Sequence, residues 1–82
     1  MPLINIIDVS REAFIYAQSR QLLNQFRKTL EKLKEGSFNG LDLKKREPKS
    51  HRVWSFRINK KYRALATLER GNFYIYEIDD HQ

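Results

Sequence analysis

Residues 53–68, with the sequence VWSFRINKKYRALATL, predict a β-hairpin whose two faces differ chemically. Apolar and polar residues alternate along both halves of this stretch, which is typical of half-buried strands. The apolar side chains predicted to share one face are Trp54, Phe56 and Ile58 in the first strand and Tyr62, Ala64, Ala66 and Leu68 in the second. This face is the expected contact surface for the rest of the core.

The register of the hairpin determines whether the two apolar sides coincide, because a slip of one residue sends every side chain to the other face. A three-residue loop, residues 59–61, pairs Ile58 with Tyr62 and Arg57 with Arg63, so that both arginines share the polar face. A two-residue loop mixes apolar and charged side chains on both faces. We expect the first register, although its third loop position usually takes glycine rather than lysine. Since facing guanidinium groups repel unless an anion joins them, the polar face is a candidate anion-binding surface.

The length and composition indicate one small domain, residues 1–82. Five Phe, four Tyr and one Trp can supply its core. The absence of cysteine excludes a disulfide framework, a thiolate metal site and a cysteine nucleophile. No apolar run is long enough to span a bilayer, and the N-terminus lacks the pattern of a secretory signal, so we expect a cytoplasmic location.

The net charge of +6 is concentrated in one segment. Residues 44–63 contain nine Lys or Arg residues and one acid, Glu47, which is a local net charge of +8. Such a segment favours a polyanionic partner such as nucleic acid, and a solvated basic loop is the alternative.

Upstream of the hairpin, the sequence predicts a short edge strand at Leu3–Asp8 and then a helical region. Ser10 is a suitable N-cap, the helical pattern extends to about Glu35, and Gly36 is a suitable stop. Gln18-Ser19 can divide the region into two helices, with Ser19 capping the second. The apolar residues that form one helical stripe are Leu22, Leu23, Phe26, Leu30 and Leu33. We expect this stripe to pack on the apolar face of the hairpin, and binding of a partner is the alternative.

Downstream, Arg70-Gly71 suits a tight turn into a third strand, Phe73–Ile78. With Leu68 opposite Phe73, Tyr74 and Tyr76 join the arginines on the polar face, Glu77 faces the helices and Ile78 pairs with Arg63. The opposite register buries both tyrosines. The predicted fold class is α+β, with an N-terminal helix or helix pair on one face of a small antiparallel sheet.

The polar face combines residue types that bind RNA. Arginine clamps phosphate through paired donors, and aromatic rings stack on unpaired bases. His81 lies just beyond the third strand, where a histidine can transfer protons during phosphodiester cleavage, and a frayed tail is the alternative. His51, in the basic connection, is expected to be solvated. No metal-ligand spacing links the two histidines, so we expect neither a metal nor another cofactor.

The run Trp54-Ser-Phe-Arg57-Ile-Asn-Lys-Lys-Tyr62-Arg63-Ala, followed by a turn, an aromatic strand and Ile78-Asp-Asp-His81, resembles the RelE/ParE toxin superfamily. The resemblance covers nearly the whole chain. It implies a RelE-like toxin of a type II toxin–antitoxin system, neutralised by a cognate antitoxin. RelE-type members cleave mRNA in the ribosomal A site without a metal, by attack of the ribose 2′-hydroxyl on the adjacent phosphate.

The resemblance also implies roles for particular residues. Arg63 corresponds to the arginine that stabilises the transition-state phosphate, Arg57 to a position that holds the RNA backbone, and His81 to a terminal acid/base. The additional candidate RNA-binding residues are Lys45, Arg46, Arg52, Lys60, Lys61, Tyr74 and Tyr76. The alternatives are a ParE-like inhibitor of DNA gyrase and a catalytically inactive member that binds RNA or antitoxin.

Overall fold

Two helices and a five-stranded sheet form the computed structural model, which describes residues 4–46 and 52–80. In chain order the elements are β1 (Ile6–Val9), α1 (Arg11–Ser19), α2 (Leu23–Glu35), β2 (Lys44–Lys45), β3 (Val53–Arg57), β4 (Tyr62–Glu69) and β5 (Asn72–Asp80). The strands are ordered β1-β5-β4-β3-β2 across the sheet. The predicted α+β class and the helix pair are confirmed. In the described part of the chain, neither helix is both long and apolar enough to cross a membrane.

The sheet is mixed, so the prediction of an antiparallel sheet is wrong at one edge. Strand β1 runs parallel to β5, whereas the other neighbouring strands are antiparallel. Ser10 joins β1 to α1: its backbone N–H donates to the carbonyl oxygen of Ile75 at 2.8 Å, and its Oγ accepts from the N–H of Ala13 at 3.1 Å. The predicted N-cap is therefore confirmed. A four-residue edge strand carries no sequence signal for its direction, because both orientations bury the same side chains.

The helical region divides close to the predicted position, but not by the predicted cap. Helix α1 ends at Ser19, whose hydroxyl donates to the carbonyl oxygen of Tyr16 at 2.8 Å. The N-cap of α2 is Leu22, which makes no side-chain capping bond. Gly36 ends α2 with a left-handed φ of 75°, as predicted.

The hairpin has the predicted register, with Arg57 opposite Arg63. Its loop needs no glycine because Asn59 closes it. The Oδ1 of Asn59 accepts from the backbone N–H groups of Lys61 at 2.8 Å and Tyr62 at 2.9 Å. Lys61 is not among the described residues with positive φ. A side-chain acceptor thus replaces the glycine that three-residue loops usually require.

The core lies between the helices and the apolar face of the hairpin. Its buried apolar residues are Ala13, Ala17, Leu22, Phe26, Leu33, Leu41, Phe56, Ile58, Ala64, Ala66, Phe73, Ile75 and Ile78. The helical stripe packs on the sheet as expected, with Leu22, Phe26 and Leu33 buried. Leu23 and Leu30 remain half-buried at the margin.

The predicted pairing of β4 with β5 is right only for the first half of β5, because a β-bulge shifts the register beyond that point. Leu68 pairs with Phe73 as predicted, but Tyr76 is an extra residue with no partner across the bulge. The alternation of faces therefore changes after Tyr76. Glu77 is exposed opposite a polar-face position instead of facing the helices, and Ile78 is buried with 5% of its surface exposed. The bulge removes the conflict of a carboxylate in the core.

Candidate functional site

Arg63 is buried, in contrast to the open position predicted for it. Its side chain is 7% exposed, and its Nη2 lies 2.7 Å from the Oδ2 and 3.4 Å from the backbone oxygen of Asp42. Arg57, directly opposite on β3, is exposed. The two arginines share a face, and among the described residues a carboxylate contacts the guanidinium of Arg63 but not that of Arg57.

The segment that follows α2 places Asp42 at Arg63. The backbone N–H of Arg57 donates to the carbonyl oxygen of Leu41 at 2.6 Å, and two residues beyond Asp42, Lys44 pairs with Ser55 of β3. The chain is thus held to β3 on both sides of Asp42. Asp42 has a φ of 49°, a left-handed conformation that aspartate tolerates better than most residues. Sequence reasoning treated this segment as a polar connection and missed Asp42, since one acid in a loop has no spacing that points to a partner.

Asp42 contacts two cations, the buried Arg63 and the exposed Lys44. Lys44 Nζ lies 3.7 Å from the same Oδ2, but its side chain is 57% exposed. Asp79, rather than the predicted Ile78, is opposite Arg63 on β5, because of the bulge. Arg63 thus has the Asp42 carboxylate in contact and an acidic residue, Asp79, as its register partner on β5. A buried arginine oriented in this way is a rigid hydrogen-bond donor for an anion.

Ser55 is the second buried polar residue of the polar face. It is fully buried, and its Oγ has no hydrogen-bond partner within the described residues. It lies two positions before Arg57 on β3 and across from Leu65 of β4. A buried hydroxyl without a partner lowers stability, and such groups are uncommon in folded proteins.

The predicted RNA-binding cations Lys45, Arg46, Arg52, Lys60 and Lys61 are all exposed, and we refer to them as the basic border. Lys45 belongs to β2, and the backbone N–H of the adjacent Arg46 donates to the carbonyl oxygen of Val53 at 2.7 Å. Strand β2 was not predicted. It forms because an extended segment supplies hydrogen-bond partners to the backbone N–H and carbonyl groups at the edge of β3. Arg52, with a φ of 53°, forms an exposed ion pair with Glu69 at 3.8 Å.

The two lysines at the hairpin tip differ in their contacts. Lys60 is exposed. Lys61 Nζ lies 3.9 Å from the Oδ2 of Asp80 and 5.5 Å from the centre of the Tyr62 ring. Since both ion-pair partners are partly exposed, a polyanion can displace this contact at low cost.

The structure does not bring both tyrosines to the arginines. Tyr74 is 41% exposed and pairs with Thr67, four residues from Arg63 along β4, which is about 13 Å. Tyr76 is half-buried at the bulge and lines a cavity of about 220 Å³ together with residues of α1. Of the two predicted tyrosines, Tyr74 is the one that remains accessible on the polar face. His51 and His81, the two predicted histidines, lie outside the described residues.

Comparison with solved structures identifies the fold. YoeB from Staphylococcus aureus, solved as a dimer, matches with a TM-score of 0.69 and 20% identity, covering 99% of this chain and 100% of that one. The YoeB/ParE toxin from Agrobacterium tumefaciens matches with a TM-score of 0.69 and 12% sequence identity, covering 95% of this chain and 100% of that one. YafQ from E. coli strain BL21(DE3) matches with a TM-score of 0.70 and 10% sequence identity, covering 90% of each chain. No family model matches the sequence, and no curated protein is recognisably similar to it.

These matches confirm the predicted RelE-like fold over nearly the whole chain. At 10–20% identity the likeness concerns the fold and not the activity. A complex of YoeB with YefM from Staphylococcus aureus matches in the same way, with a TM-score of 0.67 and 21% identity over 96% of this chain and 98% of that one. Function is therefore inferred from the residues of the polar face.

Proposed function

We propose that this protein is the toxin of a type II toxin–antitoxin pair and that it cleaves mRNA on the ribosome. The observation that carries the proposal is Arg63, buried on the sheet of a RelE-like fold and fixed by Asp42 at 2.7 Å. A buried arginine is costly to retain unless it is paired, and it gains nothing from burial alone. Its rigid guanidinium suits a phosphate that gains charge during reaction.

The cleavage step assigns one task to each charged group. A base takes the proton of the 2′-hydroxyl, the 2′-oxygen bonds to phosphorus, and the bond from phosphorus to the 5′-oxygen breaks. The 5′-oxygen takes up a proton, which leaves a 2′,3′-cyclic phosphate and a 5′-hydroxyl. Arg63 stabilises the charge on the phosphoryl oxygens, and Arg57 holds the adjacent backbone.

Two groups are candidates for proton transfer. The carboxylate of Asp42 touches Arg63 and is 43% exposed, so a substrate can approach it. His81 keeps the acid/base role that the family resemblance implies, although it lies outside the described residues. His81→Ala separates these roles: if His81 is the base, this variant slows cleavage at neutral pH, and if Asp42 is the base, the rate stays nearly unchanged. Asp42→Asn slows cleavage in either case, because it also removes the carboxylate that holds Arg63.

The basic border supplies binding that does not depend on sequence. Lys45, Arg46, Arg52, Lys60 and Lys61 are exposed cations, and each phosphate contact adds about 0.7 to the slope of log affinity against log salt for single-stranded RNA. Tyr74 offers a stacking surface about 13 Å from Arg63 along the strand. The cognate antitoxin and the ribosome complete the proposed set of partners.

Mapping of transcript ends after brief expression tests the proposal. Wild type is expected to create new 5′ ends within translated messages. Arg63→Gln, which keeps most of the side-chain volume, is expected to reduce them by about 100-fold, as loss of one transition-state donor does. Arg20→Gln is the matched control, because Arg20 is exposed at the end of α1.

Three results would count against the proposal. Equal cutting by wild type and Arg63→Gln, with both folded by circular dichroism, would remove Arg63 from the mechanism. DNA damage with intact transcripts would indicate gyrase inhibition. Salt-sensitive RNA binding without cut ends would indicate a non-catalytic RNA-binding protein.

A further inference from the structure

Asp8 and Tyr74 form an exposed pair at the β1 end of the polar face. Strand β1 runs parallel to β5 with Asp8 directly opposite Tyr74, so the two side chains lie on the same side of the sheet. Ile7 and Val9, the neighbours of Asp8, pack against the core, which places Asp8 on the opposite, polar side. Asp8 is exposed, and Tyr74 is 41% exposed. A carboxylate and an aromatic ring are therefore side by side on adjacent strands, which are about 4.8 Å apart.

The carboxylate of Asp8 has no partner within the described residues, where it forms neither an ion pair nor a hydrogen bond. Asp42 and Glu69, in contrast, each pair with an arginine. Ile6 lies two residues before Asp8 on β1, hence on the same face, and is 57% exposed. A free acceptor bordered by an exposed ring and an exposed apolar side chain suits a flat ligand that has hydrogen-bond donors on its edge.

The chemistry of this pair selects guanine among the RNA bases. An ionised carboxylate only accepts hydrogen bonds, so its two oxygens are matched by two adjacent donors. Guanine presents such donors, N1–H and the N2 amino group, side by side on its Watson–Crick edge. Adenine and cytosine place a donor beside an acceptor on that edge, and uracil places one donor between two acceptors. Proteins read unpaired bases by stacking them on an aromatic ring and bonding this edge.

An RNA ligand fits the rest of the molecule better than a basic peptide does. A guanidinium also has paired donors and stacks on tyrosine, but the net charge of +6 on this chain repels a cationic peptide. Tyr74 lies on the same sheet face as Arg57 and Arg63, so one RNA strand can reach all three residues. The separation of about 13 Å between Tyr74 and Arg63 along β4 places the base contact away from the bond that is cleaved.

We propose that Asp8 and Tyr74 form a guanine-binding subsite, in which the base stacks on the Tyr74 ring and donates from N1–H and the N2 amino group to the Asp8 carboxylate. This inference rests on the proposed function, because it takes the substrate to be single-stranded RNA on the polar face. It adds recognition of a base to a face whose arginines recognise phosphate. Asp8 and Tyr74 are specificity residues and take no part in proton transfer.

Fluorescence anisotropy with three labelled oligonucleotides tests the proposal. Each is a short 2′-O-methyl oligouridine with one central guanosine, inosine or adenosine. The 2′-O-methyl groups prevent attack by the 2′-oxygen, so the assay measures binding alone. Wild type is expected to bind the guanosine oligonucleotide about tenfold more tightly than the adenosine one, as loss of a bidentate base contact predicts. Inosine lacks the N2 amino group, so its oligonucleotide is expected to bind with an intermediate affinity.

Variants of the two residues separate recognition of the edge from stacking. Asp8→Asn is expected to reduce the preference for guanosine over adenosine to less than twofold, because the amide presents a donor where guanine also has one. Tyr74→Ala is expected to weaken binding of all three oligonucleotides about fivefold, and Tyr74→Phe to leave it within twofold of wild type, because stacking needs the ring and not the hydroxyl.

Glu31→Gln is the matched control for Asp8→Asn, because it removes the same charge from an exposed residue of α2. It is expected to leave the preference for guanosine unchanged. Equal binding of the guanosine and adenosine oligonucleotides by wild type, or no binding of either, would overturn the proposal. So would a preference that survives Asp8→Asn, equal effects of Asp8→Asn and Glu31→Gln, or unchanged binding by Tyr74→Ala.

The oligonucleotide assay is independent of RNA cleavage, so the two proposals fail separately. A protein that cuts translated messages but binds the three oligonucleotides equally refutes the guanine subsite alone. A protein that prefers guanosine through Asp8 but creates no new 5′ ends refutes the nuclease proposal alone.

Discussion

The contact between Asp42 and Arg63 sets the geometry of the proposed site, and its strength can be measured. Asp42→Asn keeps the shape of the side chain and removes its charge, which leaves the buried Arg63 without its carboxylate. A hydrogen bond to a charged group contributes about 1.5–3 kcal/mol. Because the Asp42 side chain is 43% exposed, water competes for it, and we expect a loss near the lower end, about 1.5 kcal/mol.

A double-mutant cycle isolates this contribution. We expect Asp42→Asn and Arg63→Gln to be less destabilising together than the sum of the single variants, by about 1.5 kcal/mol. For a domain of this size, 1.5 kcal/mol corresponds to a Tm decrease of about 6–12 °C for Asp42→Asn. Urea unfolding can be followed by fluorescence, because the chain has one tryptophan, the half-buried Trp54.

Lys44 provides the matched control within the same cluster. Its Nζ lies 3.7 Å from Asp42 and its side chain is 57% exposed, so its coupling to Asp42 should stay below about 0.5 kcal/mol and disappear in high salt. The coupling to the buried Arg63 should persist there. If the two couplings are equal, Asp42 does not hold Arg63, and the guanidinium is not fixed.

Three further predictions concern stability. Ser55→Ala should raise the free energy of unfolding by about 1 kcal/mol, because it removes a buried hydroxyl that has no partner among the described residues; a destabilisation of similar size in urea would show that this hydroxyl is bonded. Gly71→Ala should destabilise by about 1–2 kcal/mol, because Gly71 has a φ of 82° and a Cβ there would lie 2.5 Å from the Asn5 side chain. Arg70→Asn at the preceding position should stabilise the protein by a few tenths of a kcal/mol or more, because Arg70 has a φ of 51° and asparagine tolerates positive φ better. Thermal melts in which both turn variants raise the Tm, or both lower it, would contradict the turn assignment.

Much of the fold was predictable because its signals are local or periodic. The alternation over residues 53–68 predicted the hairpin register, since only one pairing places the apolar residues on a common face. Ser10 and Gly36 marked helix ends because caps and left-handed stops depend on single residue types. The prediction failed at Tyr76, because a bulge adds one residue to a strand without changing its composition.

The site was predictable only in part. The sequence alone determined that Arg57 and Arg63 share a face, that the surrounding segment is basic and that the helical stripe is apolar, since each follows from periodicity or composition. Only the tertiary structure decided that Arg63 is buried against Asp42, that Tyr76 leaves the polar face, and that Leu23, Leu30 and Phe14 remain accessible. These outcomes depend on which distant segment covers which face, and contacts between residues 21 positions apart, such as Asp42 and Arg63, have no local signature in the chain.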